Sequence, residues 1–145
     1  MRRLVAAFSL IALVACDDTS PTAVASGFSG TYALQTVNGA ALPIVDLQDG
    51  TRKRELMSDV LHFSADGAFT GRMVSRNTGN GLVTNDTTVY TGIWTWILNG
   101  HLLEIRFPRN EYMTIYVAVF GTSLMISSPA MTTENAFDIY LYARQ

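Results

Sequence analysis

Cysteine occurs once in these 145 residues, so no disulfide framework can staple the chain, and its fold must be held by a core. Histidine is nearly as scarce. His62 and His101 are the only two, and neither has a Cys, Asp or Glu at metal-ligand spacing on its own face, Glu104 alternating onto the side opposite His101. Charge is thin, with ten Lys and Arg against twelve Asp and Glu and no basic cluster on the scale of a domain. That excludes nucleic acid as a partner, because phosphate recognition needs a concentrated Lys/Arg surface. No window carries a sustained apolar repeat at helical spacing, which excludes a helical domain. The apolar run Leu4–Ala15, broken only by Ser9, falls short of the roughly 20 residues that span a bilayer. There is no Gly-x-Ser-x-Gly elbow and no phosphate loop. Ser58, Asp59 and His62 do not make a nucleophile set, since Asp59 and His62 project from opposite faces of one strand. Glu104 and Glu111 read as solvated carboxylates on a surface face and a loop edge. The expectation is a protein that is not an enzyme and carries no metal or cofactor.

What is present begins with the lone cysteine. Cys16 closes the run Leu13-Val14-Ala15-Cys16 behind a basic start, Arg2-Arg3, and the short apolar stretch. This order resembles the lipobox of a bacterial lipoprotein, in which the chain is cut before the cysteine and the sulfur carries a lipid. The resemblance implies that residues 1–15 are a signal peptide that is removed. It also implies that Cys16 is the lipid attachment site and that the protein sits in a bacterial cell envelope, anchored to a membrane outside the cytoplasm. Asp17 resembles the inner-membrane retention signal of enteric bacteria. Residues 16–27 are small, polar and punctuated by Pro and Gly, which predicts a flexible tether. Removing Arg2 and Arg3 moves the formal charge from −2 to −4. One domain remains, over 28–145.

Within it, Val, Ile, Thr, Tyr, Phe and Trp recur in short runs between Asn-Gly, Asp-Gly and Pro-containing breaks, an all-β pattern. Strands are expected near 30–37, 41–46, 56–64, 68–76, 87–98, 101–107, 112–120, 123–128 and 136–144. Turn chemistry then sets registers. A two-residue turn at Asn99-Gly100 pairs Trp96 with Leu103 and Trp94 with Ile105 on an apolar face, and Thr95 with Glu104 on the other. A turn at Gly121-Thr122 pairs Val119 with Leu124 and Val117 with Ile126. A three-residue loop at 65–67, with Gly67 left-handed, pairs Phe63 with Phe69 and His62 with Thr70, and is preferred because a one-residue slip turns every side chain over.

Tight turns at 38–40, 65–67, 99–100 and 121–122 group at one end, and longer links at 47–55, 77–86, 108–111 and 129–135 at the other. A meander of this kind closes into a single antiparallel up-and-down β-barrel of about eight strands, which removes the exposed edges. Nine alternating strands would join the first and last in parallel, so one short segment, 41–46 being the best candidate, should lie outside the ring. Strand parity further predicts that the tether leaves beside the long links. It would then hold that end, with Arg52-Lys53-Arg54 and the loop 77–86, toward the bilayer.

The run from Gly30 to Pro43, the segment Thr91-Gly92-Ile93-Trp94-Thr95-Trp96 and the terminal Tyr140-Leu141-Tyr142-Ala143-Arg144 are together similar to the small bacterial lipocalin-like lipoproteins, a calycin-type group. The resemblance implies a β-barrel that binds apolar molecules. Where lipocalins carry Gly-x-Trp and a covering basic residue on the last strand, this chain has Gly30-Thr31-Tyr32 and Arg144. The alternation sets Tyr140, Tyr142 and Arg144 on the face opposite Phe137, so with Phe137 inward an Arg144–Tyr32 contact would require a bulge. The inward aromatics Tyr32, Phe63, Phe69, Tyr90, Trp94, Trp96, Phe107 and Phe137 either line a ligand cavity or fill the barrel, since eight strands leave room for one or the other. The leading expectation is a small hydrophobic ligand, bound by the first seven of these. The alternative is a structural or protein-interaction lipoprotein with a filled core.

Overall fold

Ten strands in chain order make up the domain in a computed structural model, which describes residues 27–98, 102–107, 114–129 and 137–145. They are β1 (Gly30–Val37), β2 (Ala40–Ala41), β3 (Ile44–Asp49), β4 (Arg52–Phe63), β5 (Ala68–Gly79), β6 (Leu82–Ile97), β7 (Leu102–Arg106), β8 (Thr114–Phe120), β9 (Ser123–Pro129) and β10 (Phe137–Arg144). Each pairs antiparallel with its neighbour from β3 through β10, β10 pairs with β1, and β1 returns to β4 through Gly30↔Phe63 to Ala33↔Val60. That last ladder closes an eight-stranded antiparallel barrel, compatible with a lipocalin-like fold. Strands β2 and β3 stand outside the ring, as the parity of the meander requires. The second half of β1 pairs with β2 and the first half of β4 with β3, so the excursion peels away while β1 and β4 meet.

The predicted registers hold where they are described. Trp96↔Leu103, Trp94↔Ile105, Thr95↔Glu104, Val119↔Leu124, Val117↔Ile126 and Phe63↔Phe69 are all observed, and Gly67 has φ of 89°. The turn Asn99-Gly100, His101, Glu111 and most of the links 108–111 and 129–135 lie outside the described residues, as does everything before Gly27, Cys16 included.

Several expectations are overturned. The link 77–86 is no loop. Asn80 and Gly81, with φ of 51° and 76°, form a two-residue hairpin turn, and β5 and β6 run on to meet it. Apart from the exposed Leu82 and Val83 its strands are polar on both faces, with Asn77 Nδ2 donating to Asp86 at 2.6 Å, so apolar alternation is silent there. Nor is 47–55 a loop carrying a solvated basic triplet. Lys53 and Arg54 lie in β4, where Lys53 and Arg76 each bind Glu55 at 2.8 Å, and Arg54 binds Asp46 at 2.9 Å. The hydrogen bonds from Lys53 and Arg76 hold the Glu55 carboxyl below its usual range. Glu104 is covered and ion-paired to Arg106 at 2.7 Å, not solvated. Finally, the chain arrives at the other end of the barrel. Gly30 pairs beside the 64–67 turn, and Arg144 N–H donates to Thr122, so the domain begins at the end that carries the 64–67 and 121–122 turns, while the turn at 38–39, expected at that same end, lies at the opposite one beside the start of β10. Because the chain makes two short strands, β2 and β3, where a single one was expected over 41–46, the parity count that set the start of β1 beside the long links was shifted by one.

That end of the barrel is plugged. Phe28 is 4% exposed, and its ring centroid lies 4.9 to 5.4 Å from those of Phe63, Trp96, Trp94 and Tyr32. Three successive carbonyls fix it. Arg144 donates to Gly27 and Ser29 at 2.7 Å each, and Tyr32 Oη donates to Phe28 at 2.7 Å. Arg144 is thus opposite Tyr32 without a bulge in the last strand. The irregularity lies in β1, between Leu34 and Thr36. The inward face of β10 is the tyrosine face: Tyr142 is buried, whereas Phe137 is 63% exposed and leaves the predicted inward set.

Candidate functional site

Beyond the plug the barrel is not filled. A cavity of about 320 Å³ opens between β4, β5, β6, β7, β8, β9 and β10, walled by Leu61, Phe69, Met73, Ile105, Phe107, Ile115 and Ile126. Four polar side chains, Asp59, Tyr90, Tyr140 and Tyr142, and Ser128 complete it. A second cavity of about 360 Å³ lies under the β2–β3 excursion, lined by Ile44, Leu56, Asp46, Arg54 and Asp138 among others, and shares Asp59, Met73 and Tyr140 with the first.

Of the seven residues predicted to line a cavity, Phe69, Tyr90 and Phe107 do so. Their rings form one group with centroids 5.8 to 6.2 Å apart. Tyr32, Phe63, Trp94 and Trp96 instead pack around Phe28 at the tight-turn end. Trp94 is anchored by its indole N–H, which donates to the Ser64 carbonyl at 3.0 Å. The structure therefore combines the two alternatives, a filled half and an unfilled half.

At the floor of the unfilled half sits Asp59, 7% exposed. Tyr90 Oη donates to its carboxylate at 2.7 and 2.9 Å, and Tyr142 Oη at 2.8 Å. A buried carboxylate needs such donors, because an unpaired charge in a low-dielectric interior is costly. Burial nevertheless dominates and pushes the Asp59 carboxyl above its usual range, against the hydrogen bonds from Tyr90, Tyr142 and the Val60 backbone. The same burial, with the neighbouring Asp59, pushes the Tyr90 and Tyr142 phenols up, so both stay protonated donors. The geometry depends on Gly71. It pairs with Tyr90 across the β5–β6 ladder, and a Cβ at Gly71 would fall 2.2 Å from the tyrosine ring. A residue with a side chain there would push Tyr90 off Asp59. Gly92 is also closed to substitution, since its Cβ would meet the Arg106 carbonyl at 2.4 Å.

Sequence reading found neither Asp59 nor Tyr142, though the signal existed. Asp59, Leu61 and Phe63 share one face of a strand by simple alternation, which sets the carboxylate inward. His62, on the opposite face, is exposed and hydrogen-bonds Thr31 at 3.2 Å. Among the described residues no group of three or more His, Cys, Asp or Glu is placed to hold a metal ion. Comparison of the chain with protein-family models, with curated proteins and with solved structures finds no match.

Proposed function

We propose that this chain is a lipocalin-like lipoprotein that binds a small, largely apolar molecule inside its barrel, tethered through a lipid on Cys16 to a membrane of a bacterial cell envelope. It acts as a binder and not as an enzyme. The observation that supports the reading is the cavity of about 320 Å³, with its aromatic and aliphatic walls and a few convergent polar groups. Because Trp94 and Trp96 lie in the plug, ligand should be followed by the dye's own emission and not by tryptophan quenching. A neutral apolar dye such as Nile red is expected to gain emission saturably at micromolar protein. Filling the cavity with Ile115→Trp should weaken that binding by about tenfold while the circular dichroism of the sheet is kept. Unsaturable emission, or equal binding by the filled variant, would overturn the reading.

The anchor has its own test. Cys16→Ser is expected to abolish incorporation of a radiolabelled fatty acid and to leave the precursor uncut, with the fold unchanged, because no disulfide is lost. Labelling that persists in the variant removes Cys16 from the proposal.

A second reading, a structural or interaction lipoprotein, is favoured by the outer wall of β8, β9 and β10. Its outward residues include no charge, and Tyr116, Phe120, Phe137, Ile139 and Leu141 are all exposed there. Ile139→Lys should then disrupt association of the protein, seen by sedimentation, without altering dye binding.

A further inference from the structure

We infer that the barrel's ligand is an amphiphilic amine, its apolar body held by the aromatic cavity and its protonated nitrogen seated against Asp59. This rests on the proposal that the barrel binds a small molecule, and adds the chemical class.

Three observations lead there. First, Asp59 is a buried carboxylate whose side-chain partners are hydroxyls. Among the described residues no Lys, Arg or His forms an ion pair with it. Structural carboxylates in this same protein are treated differently: Glu55 is held by Lys53 and Arg76, and Asp46 by Arg54. A buried charge left without a counter-ion is a poor contributor to stability, and its place on a cavity wall leaves room for a counter-ion from outside.

Second, the hydrogen-bonding capacity of the floor is one-sided. Tyr90 and Tyr142 each have a single hydroxyl proton, and both protons are directed at Asp59. What this triad still offers is lone pairs, on the carboxylate and on the two phenol oxygens. A ligand group meeting it must donate, and an ammonium brings several donors with the compensating charge. At this triad a carboxylate or phosphate would meet only lone pairs and a like charge, the remaining hydroxyls of the cavity, on Tyr140 and Ser128, being outside it.

Third, the surroundings suit a cation. Asp46, Asp59 and Asp138 line the adjoining cavity against Arg54 alone, whose Nε is bound to Asp46. Phe69, Tyr90 and Phe107 line the same cavity as Asp59, and aromatic rings attract organic cations as well as apolar groups.

The test uses three probes of equal shape, namely phenethylamine, phenethyl alcohol and phenylacetate, titrated calorimetrically into the folded protein at neutral pH. The amine is expected to bind about tenfold or more tightly than the alcohol, and phenylacetate weakest of the three. Asp59→Asn keeps an acceptor for the tyrosines and removes the charge. It is expected to abolish the preference for the amine, bringing amine affinity down to that of the alcohol. Alcohol or phenylacetate binding the unaltered protein as tightly as the amine overturns the inference without any variant, as does an amine preference that survives Asp59→Asn. In those cases the barrel still binds a small molecule. If none of the three binds and Nile red does not either, the ligand-binding proposal fails together with this one.

Discussion

Trp94→Ala is expected to destabilise the domain by about 3–5 kcal/mol, the range seen when a large aromatic is cut to a methyl in a packed interior. Trp94 is 5% exposed, packs edge-on to Phe28, Phe63 and Trp96, and donates its indole N–H to the Ser64 carbonyl. It touches the plug and not the cavity, so the hole left behind cannot be closed by collapse of a void already there. Chemical denaturation would read the loss as a lower midpoint at unchanged slope. A cost below about 1 kcal/mol would mean that the tight-turn half of the barrel is loosely packed, contrary to the ring contacts described here.

Asp59 predicts an opposite and pH-dependent behaviour. Burial raises its carboxyl above the usual range in the folded protein, so the folded state holds that proton more tightly than the unfolded chain does. The stability Asp59 contributes is therefore complete below the ordinary carboxylate range and is lost as pH rises through the folded value. Asp59→Asn removes this dependence. Relative to the unaltered protein, the variant should be about equal in stability in acid and more stable at neutral pH, the gap widening between the two. Asp59→Leu should fail differently. It leaves the Tyr90 and Tyr142 hydroxyls buried without an acceptor, at about 1–3 kcal/mol for each. Denaturation of the three proteins across a pH series separates the cases. If the unaltered protein instead gains on Asp59→Asn as pH rises, the tyrosine hydrogen bonds outweigh burial. A residue whose neutral isostere is the more stable is one retained at some cost to the fold, the pattern expected of a binding group.

The two expected results divide the barrel as the structure does. Toward the tight turns, Arg144 and Tyr32 pin the carbonyls of residues 27–29 and drive Phe28 into a filled core. Toward the other end, Gly71 makes room for Tyr90 to lie across the sheet and reach Asp59, and the aromatic rings stand back around a void. Asn38 ties the first strand junction to the last strand, its side chain bonding both Asp138 and the Ile139 N–H at 2.8 and 2.9 Å. That contact keeps the start of β10 in place where Tyr140 looks inward.

Local chemistry along the chain determined the all-β class, the registers of three hairpins and the exclusion of one short segment from the ring, because alternation and turn residues act between neighbours in sequence. It failed at Asn80-Gly81, where a polar ribbon carries no apolar period, and it left three side chains of the site unconnected. Asp59, Tyr90 and Tyr142 come from β4, β6 and β10, and nothing local to any of the three strands specifies the other two. Only the long-range pairing of β1, with β4 on one side and β10 on the other, decided the rest. By leaving two short strands, β2 and β3, outside the ring where a single one was expected, it reversed the end at which the chain arrives. By pairing Tyr32 with Arg144 it turned Tyr142, and not Phe137, inward. Side-chain direction in a strand has period two, so each such choice between faces is made once, by a long-range pairing, for every residue of the strand together.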